Sequence, residues 1–425
     1  MATIAILCVG SRGDVQPYVA LANELSSRGH SVTVATHATF RELVTERGLD
    51  FAALPGDPRE QVRREETQDL MASGRGLVRF VSRFASLAEP WLEKLFDVLS
   101  PICARSDLVV YSPLAFPGWH IAQAKGTPSV LAPLQPFTAT GEFPAVSLGG
   151  LDLGSRGNHL SHRIVQQVAW LSVRRTVDRI RLEKLGMPPL GWRGPFPVLE
   201  RTAEAHIYGF SRHVVPKPSD WGRQHHITGY WFLNRDEPAL PEELSRFIDT
   251  DVPPVYVGFG SLAAADADRL TAIVLEAARR SDTRLVISAG WGGMTESLSD
   301  HSVAFIGETP HEVLFPRLRA VVHHGGAGTT GTAFRAGVPQ VVIPSWADQF
   351  FWGERVRALG VGPDPIPRSR IEVDSLTTTL RAVASERYRV VATRLGRRVA
   401  SEDGVADAAR LLEQRLERAP RSFLR

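Results

Sequence analysis

The sequence predicts an α/β protein made of two similar domains, each an open parallel sheet covered by helices, facing one another across a cleft. Three observations carry this. Both halves contain apolar strands that end in glycine turns and lead into helices. A stretch rich in proline and glycine separates the halves. The length, 425 residues, suits two domains of about 200 residues better than one.

In the first half, residues 3–9 form a continuous apolar strand ending in Gly10-Ser11-Arg12-Gly13-Asp14. A helical pattern follows through Val19, Leu21, Ala22 and Leu25, with a start expected near Val15 and a stop at Gly29. A second strand then runs from Ser31 to Thr36. Strand, glycine turn, helix and strand make a βαβ unit. The second half repeats the scheme. Pro254 to Phe259 is a strand, Gly260-Ser261 the turn, Leu270 to Arg280 a helix and Arg284 to Ser288 the next strand. Strands at Val303–Ile306, Ala320–His323 and Gln340–Pro344 follow, with a helix from Thr329 to Ala336 between the last two. Two Rossmann-like domains result.

Residues 213–235 carry Pro216, Pro218, Gly222 and Gly229 and read as the linker. Residues 1–212 then form the N-terminal domain and 236–398 the C-terminal one, with 399–425 a helical tail expected to pack back on the first domain. Facing α/β domains bring the carboxyl ends of both sheets to one cleft, where such sheets bind ligands. Residues 59–99 are helical, charged at first and then amphipathic; they pack on the N-terminal domain or form a lid over an apolar acceptor.

Composition narrows the function classes. Apolar residues make up 43% and charged residues 22%, enough for two ordinary cores. A net charge of +3, without a Lys/Arg block, gives no footprint for nucleic acid. Cys8 and Cys103 have no metal-ligand spacing. The apolar N-terminus lacks a basic leader and reads as a buried strand, and no run of about eighteen apolar residues occurs. The expectation is a cytoplasmic protein, monomeric or dimeric.

The strongest motif is Val321-Val322-His323-His324-Gly325-Gly326-Ala327-Gly328-Thr329-Thr330-Gly331-Thr332. A strand runs through small residues into a helix, whose free first-turn amides and positive dipole end make an anion site. Glycines let phosphate oxygens approach the backbone, Thr329 and Thr330 carry hydroxyls, and His324 adds a ring N–H. The segment also fits G-x-G-x-x-G, with Asp348 some way beyond, which alone would spell a dinucleotide-binding dehydrogenase. That fingerprint belongs to the first turn of its domain, and here several strands precede it. The next strand ends in Ser345-Trp346-Ala347-Asp348-Gln349-Phe350, whose carboxylate and carboxamide suit sugar hydroxyls; helix capping is the plainer role for Asp348.

His324-Gly325-Gly326-Ala327-Gly328-Thr329 followed by Ala347-Asp348-Gln349 resembles the donor-binding signature of family 1 glycosyltransferases with the GT-B fold. Gly10-Ser11-Arg12-Gly13-Asp14 and Asp348-Gln349-Phe350-Phe351 most resemble sterol glucosyltransferases and vancomycin-group antibiotic glycosyltransferases. The resemblance implies a nucleotide-sugar donor whose pyrophosphate meets His324, Gly326, Gly328, Thr329 and Ser261 from one domain and Ser11, Arg12 and Gly13 from the other. Asp348 and Gln349 would hold hexose hydroxyls, Trp291 would border the nucleobase, and the backbone at Val303 would read its edge. Plant members carry an acidic residue on the donor ribose where this chain has Thr332, so ribose recognition differs.

Inverting transfer needs a base for the acceptor hydroxyl. The resemblance puts Asp14 in that role; helix capping by Asp14 is the competing account, and His37 and His120 are reserves. Asp249-Thr250-Asp251 and Asp266-Ala267-Asp268 read as turn or capping residues, so no metal cofactor is expected, and leaving-group charge falls to the helix dipole, His324 and Arg12. Phe116, Trp119, Pro136, Phe137, Phe143 and Phe210 suggest an apolar acceptor pocket, although core packing explains each equally well. A nucleotide-sugar epimerase and a non-catalytic donor-binding partner of another glycosyltransferase are the alternatives.

Overall fold

The computed structural model describes residues 1–57, 77–148, 152–201, 205–233, 240–260, 267–288, 302–307 and 309–418, with 77–88 and 200–201 described as backbone. The N-terminal sheet joins β1 (Thr3–Leu7), β2 (Ser31–His37), β3 (Asp50–Leu54), β4 (Leu108–Tyr111), β5 (Ser129–Leu131), β6 (His206–Tyr208) and β7 (His225–Ile227). Their order is β3-β2-β1-β4-β5-β6-β7, parallel throughout. The C-terminal sheet joins β8 (Val255–Gly258), β9 (Leu285–Ser288), β10 (Val303–Ile306), β11 (Ala320–His323) and β12 (Gln340–Val342) in the order β10-β9-β8-β11-β12, also parallel.

Helices cover both sheets: α1 (Arg12–Ser27), α2 (Arg41–Thr45), α3 (Leu77–Cys103), α4 (Pro117–Lys125), α5 (Gly154–Glu183) and α6 (Phe196–Arg201) in the first domain. In the second lie α7 (Glu242–Ile248), α8 (Ala267–Ser281), α9 (His311–Leu314), α10 (Ala327–Ala336), α11 (Gln349–Ala358), α12 (Val373–Val383) and α13 (Glu386–Ala400), and the chain ends in α14 (Gly404–Arg418). The strands are apolar on both faces, as sheets covered on two sides require: Ile4, Ile6 and Val34 pack on one side of the first sheet, Ala5, Leu7 and Val109 on the other.

Strand order reverses between β1 and β4 in the first sheet and between β8 and β11 in the second. Crevices form at such switch points, beyond the carboxyl ends of the strands. The turn after β1 leads into α1 and the turn after β11 into α10, so both predicted phosphate-facing turns stand at a switch point.

The segment expected to be a linker holds a strand. His225 and Ile227 pair with His206 and Tyr208, so the first sheet runs on through β7 at its edge. Pro216, Pro218 and Gly222 shape the turns around that short strand. The crossing to the second domain follows at Gly229, which has φ +113. The chain returns at Gly404; a Cβ there would lie 2.6 Å from the Gly229 carbonyl, so the two crossings touch backbone to backbone. Beyond it, α14 buries Ala408, Ala409 and Leu412 in the same core as Val15, Val19 and Leu25 of α1, and Arg28 pairs with Glu413 at 3.1 Å. Among the described residues, no helix is long and apolar enough to cross a membrane.

Candidate functional site

The first turn of α1 is built around one carboxylate. Ser11 is the N-cap, and its amide and hydroxyl donate to Asp14 Oδ2 at 2.9 and 2.8 Å. The helix therefore begins at Arg12, ahead of the expected start near Val15, with Asp14 inside its first turn. Capping and availability coexist: both bonds fall on Oδ2. Asp14 stays open to solvent from the cleft. Enclosure by the cleft walls raises its carboxyl pKa, while the two Ser11 bonds and then His37 pull it back. Water in the cleft relaxes that enclosure, because the side chain remains accessible.

Across the cleft, β11 ends in two histidines in different settings. His323 is fully buried; its Nδ1 accepts the Gly325 amide at 3.1 Å and its Nε2 meets Gln340 Oε1 at 2.9 Å. Those partners require the neutral tautomer with hydrogen on Nε2. Burial pushes this ring down to about 3, in keeping with a neutral structural histidine. His324 is half-buried, and its Nδ1 is enclosed without a hydrogen-bond partner. Burial lowers its pKa to about 4; the Gly258 carbonyl offsets part of this and Arg368 adds to the lowering.

Gly325, at φ +91, turns the chain, and Gly326 caps α10. A Cβ on Gly326 would sit 2.6 Å from His324 Nε2, so the glycine makes room for the ring. The first-turn amides of α10, at Ala327, Gly328 and Thr329, have no intrahelical acceptor. Thr330 bonds the Gly326 carbonyl at 2.8 Å and is buried, so its hydroxyl is used within the helix. Thr332 likewise bonds the Gly328 carbonyl at 3.0 Å.

The two helix N-termini meet. A Cβ placed on Gly328 would lie 3.8 Å from the Gly13 Cα, and Gln16 Nε2 donates to Glu312 Oε1 at 3.4 Å between the domains. Arg12 lies close enough to His311 to lower its pKa, after burial, to about 4. His311 Nε2 contacts the Tyr256 hydroxyl at 3.1 Å, and its ring stacks on Phe315. Positive potential from Arg12, Arg368 and two helix dipoles therefore converges on neutral His311 and His324. Such an arrangement has the preorganised donors that an anion would need. His311 and Arg368 gave no signal in sequence, since only the fold brings them to the glycine turn.

The loop after β12 carries the second predicted pair. Ala347 has φ +52, a strained conformation for a residue with a side chain, directly before Asp348. Asp348 Oδ2 accepts the Trp352 indole N–H at 2.9 Å. Desolvation raises its pKa to about 6; the Trp352 bond lowers it and the charge of Asp14, from the opposite domain, raises it further. Gln349 is buried, and its Oε1 accepts the amides of Ser345 and Trp346 at 2.8 and 3.3 Å. Its carbonyl oxygen thus folds the loop, which leaves the amide nitrogen for any ligand. Ser345 Oγ is buried there without a partner.

Ser261 and Trp291 lie outside the described residues, as does Asp266. Val303 begins the edge strand β10 and is 8% exposed. Of the acceptor candidates, Trp119, at 3% exposed, and Phe210 belong to the core, where they pack against strand and helix residues. Pro136 is buried, while Phe116, Phe137 and Phe143 are half-buried. Phe143 reaches the second domain, its ring 5.3 Å from that of Phe351. His120 is buried among Phe96, Phe116 and Trp119 and accepts Arg181 Nη1 at 2.9 Å, which removes it as a base. His37 binds the Gly56 carbonyl through Nδ1 at 2.8 Å. Among the described residues no group of three or more His, Cys, Asp or Glu side chains is placed to hold a metal; Asp249 instead pairs with Arg317 at 2.5 Å.

Comparison with known proteins bears on this geometry. Residues 4–144 match the glycosyltransferase family 28 N-terminal domain, and residues 272–414 match the erythromycin biosynthesis protein CIII-like C-terminal domain. A sterol 3-beta-glucosyltransferase of Arabidopsis thaliana is 36% identical over 421 residues, covering 95% of this chain and 66% of the relative. A sterol 3-beta-glucosyltransferase of Aspergillus clavatus is 35% identical over 431 residues, which is 98% of this chain and 30% of that one. The chain thus spans somewhat under two thirds of the plant relative and under a third of the fungal one. Among solved structures, the glycosyltransferase of kitacinnamycin superposes with a TM-score of 0.71 at 20% identity, covering 98% of this chain and 99% of the other. SnogD from Streptomyces nogalater gives 0.65 at 21%, covering 97% and 99%. At that identity the structural likeness speaks for the fold. With both domain matches in place and similarity to the sterol 3-beta-glucosyltransferases running over nearly all of it, this chain belongs to the glycosyltransferases of the GT-B fold.

Proposed function

We propose that the chain transfers a hexose from a nucleotide-diphosphate sugar to a hydroxyl of an apolar small molecule, of sterol, triterpenoid, polyketide or aromatic class, with inversion at the sugar carbon. The observation that carries this reading is the convergence of the α1 and α10 N-termini, from opposite domains, beside Asp14 and Asp348. Amides of Ala327, Gly328 and Thr329, with His324 and Arg12, would bind the pyrophosphate. Asp348 and the Gln349 amide would take hexose hydroxyls.

In the transfer, Asp14 takes the proton of the acceptor hydroxyl while that oxygen bonds the anomeric carbon. The bond from this carbon to the phosphate oxygen breaks, and the nucleotide diphosphate leaves with the electron pair. Ser11 holds one carboxylate oxygen of Asp14 and orients the other. Asp14 stays open to the cleft, so its second oxygen is accessible to an acceptor hydroxyl. Charge building on the leaving diphosphate meets helix dipoles and guanidinium groups, which supports transfer without a metal ion.

The relatives, sterol 3-beta-glucosyltransferases, favour a glucose donor and a sterol acceptor, and the Asp348 carboxylate with the Gln349 amide agrees with a fully hydroxylated hexose. The test is direct. UDP-glucose and TDP-glucose are offered with a sterol, a macrolide aglycone and a flavonol, with and without chelator, and the product's anomeric configuration is read by NMR. Retention of configuration, loss of turnover in chelator, or epimerised donor without acceptor product would each overturn part of the reading.

A further inference from the structure

The 30-residue helix α5 (Gly154–Glu183) has two faces with opposite duties. Its inner face builds the acceptor side of the cleft. His162 Nε2 meets the Phe143 carbonyl at 3.1 Å, Gln166 Nε2 donates to the Phe137 carbonyl at 3.3 Å, and Asn158 bonds the Gly141 carbonyl at 3.2 Å. The loop that bears two candidate acceptor aromatics is thus hung from this helix.

The outer face is apolar and open. Leu153, Leu160, Ile164 and Leu171 are 52%, 58%, 50% and 49% exposed. At about 100° per residue these positions fall within about 40° of one another around the axis. Trp192, 64% exposed, joins them, because its carbonyl accepts Gln167 Nε2 at 2.6 Å on the neighbouring position of the helix. Scattered single leucines on a surface need no account, but a continuous stripe with a tryptophan at its edge does. Arg156, Arg163 and Arg174 flank the stripe on one side and Arg175 on the other, and Arg193 stands 5.7 Å from the Trp192 ring. Asp178, whose Oδ1 accepts the Leu190 amide at 2.8 Å, interrupts the stripe beyond Leu171, and Leu182, 62% exposed, resumes it near the end of the helix.

We propose that this face of α5 docks on an anionic lipid bilayer. Leucine and isoleucine side chains would enter the boundary between headgroups and acyl chains, Trp192 would sit at headgroup level, and the arginines would meet lipid phosphates. An amphipathic helix with basic flanks binds in this way, lying on the surface without spanning it. Docking would place the loop carrying Phe137 and Phe143 directly above the bilayer from which an apolar molecule must be drawn. The docking claim goes beyond the proposed transfer and stands or falls separately from it.

The experiment is sedimentation of the full chain with vesicles, comparing equal parts phosphatidylcholine and phosphatidylglycerol with phosphatidylcholine alone. The wild-type protein is expected to pellet with the anionic vesicles and to be released by high salt. The triple change Leu160→Ser, Ile164→Ser and Leu171→Ser is expected to lower partitioning on the order of tenfold or more. Its melting temperature should match the wild type, since all three sites are exposed. Replacing Arg156 and Arg175 with Gln should abolish the preference for anionic vesicles while the apolar stripe remains. Equal pelleting of wild type and triple variant would overturn the proposal. So would a wild type that stays in the supernatant, or a triple variant whose only change by light scattering is from dimer to monomer, which would mark the stripe as a contact between two copies.

Discussion

A Cβ on Gly10 would lie 2.6 Å from the Oδ2 of Asp14. The glycine, at φ +141, therefore leaves the space into which Asp14 folds back to cap α1. Gly10→Ala forces either the backbone or the carboxylate to move. A stability loss of about 1–3 kcal/mol is expected from the strained backbone alone. Turnover should fall further than donor affinity, because the displaced group is the proposed base. Thermal melting and a separation of kcat from KM check this; an unchanged kcat would detach Gly10 from Asp14's placement.

Asp14→Asn separates the two roles of this residue. An amide oxygen can still accept the Ser11 amide and hydroxyl, so the cap survives and Tm should move little. As a proton acceptor the amide fails. Loss of turnover on the order of 10²–10⁴-fold is expected, with donor binding retained in a thermal-shift titration. Turnover within a few-fold of wild type would end the assignment of Asp14 as base.

Much of this was legible in sequence where the chain states its own geometry. Apolar runs from Thr3 and from Val255, followed by glycine turns, announce β1 and β8 because contiguous patterning needs no distant partner. The His324–Thr329 turn was readable for the same reason. What escaped was non-local. His225–Ile227 is too short and too hemmed by proline and glycine to read as a strand; only pairing with His206–Tyr208 makes it one. His311 and Arg368 come to the glycine turn through the fold, and neither has a motif. Aromatic residues at 116, 119, 137 and 143 look alike in sequence, and packing alone divides Trp119 from the half-buried three.

The adjacent histidines should give opposite phenotypes. His323→Phe orphans the Gly325 amide and Gln340 Oε1, each buried, and an expected loss of about 2 kcal/mol or more follows from leaving such groups unpaired. His324→Phe gives up the interaction with the Gly258 carbonyl, but Nδ1 has no partner to orphan, so stability should fall far less than in His323→Phe while donor KM rises. Melting curves and donor titrations of the two variants check the contrast. Equal loss of stability in both would make His324 a structural residue as well.

Asp348 should link pH to stability and, through the proposed contact with the sugar, to donor binding. Its pKa in the fold, about 6, lies above the ordinary 3.8, so the folded protein holds this proton more tightly than the unfolded chain. The stabilisation is complete below about pH 3.8 and is lost as pH rises through about 6. Ionised Asp348 is the better acceptor for sugar hydroxyls, so donor KM should fall over the same rise in pH. Asp348→Asn should flatten both trends while keeping an oxygen for the Trp352 indole. A KM that follows the wild-type pH dependence in the Asn variant would assign the titration to another group.

The two crossings at Gly229 and Gly404 join the domains, and the proposed donor site is a clamp that needs the first turns of α1 and α10 to meet. Gly404→Ala would set a Cβ 2.6 Å from the carbon and oxygen of the Gly229 carbonyl and from the Tyr230 carbonyl oxygen. These are backbone atoms, so the crossings must separate. Overpacking of this kind costs about 1–3 kcal/mol. Separation should also loosen the contact between the α1 and α10 first turns, so donor KM is expected to rise although residue 404 touches no donor ligand. Gly307→Ala is the control: its Cβ would meet nothing within 4 Å. Lower Tm with an unchanged donor KM in Gly404→Ala would mean that the crossing supports the fold without setting the clamp.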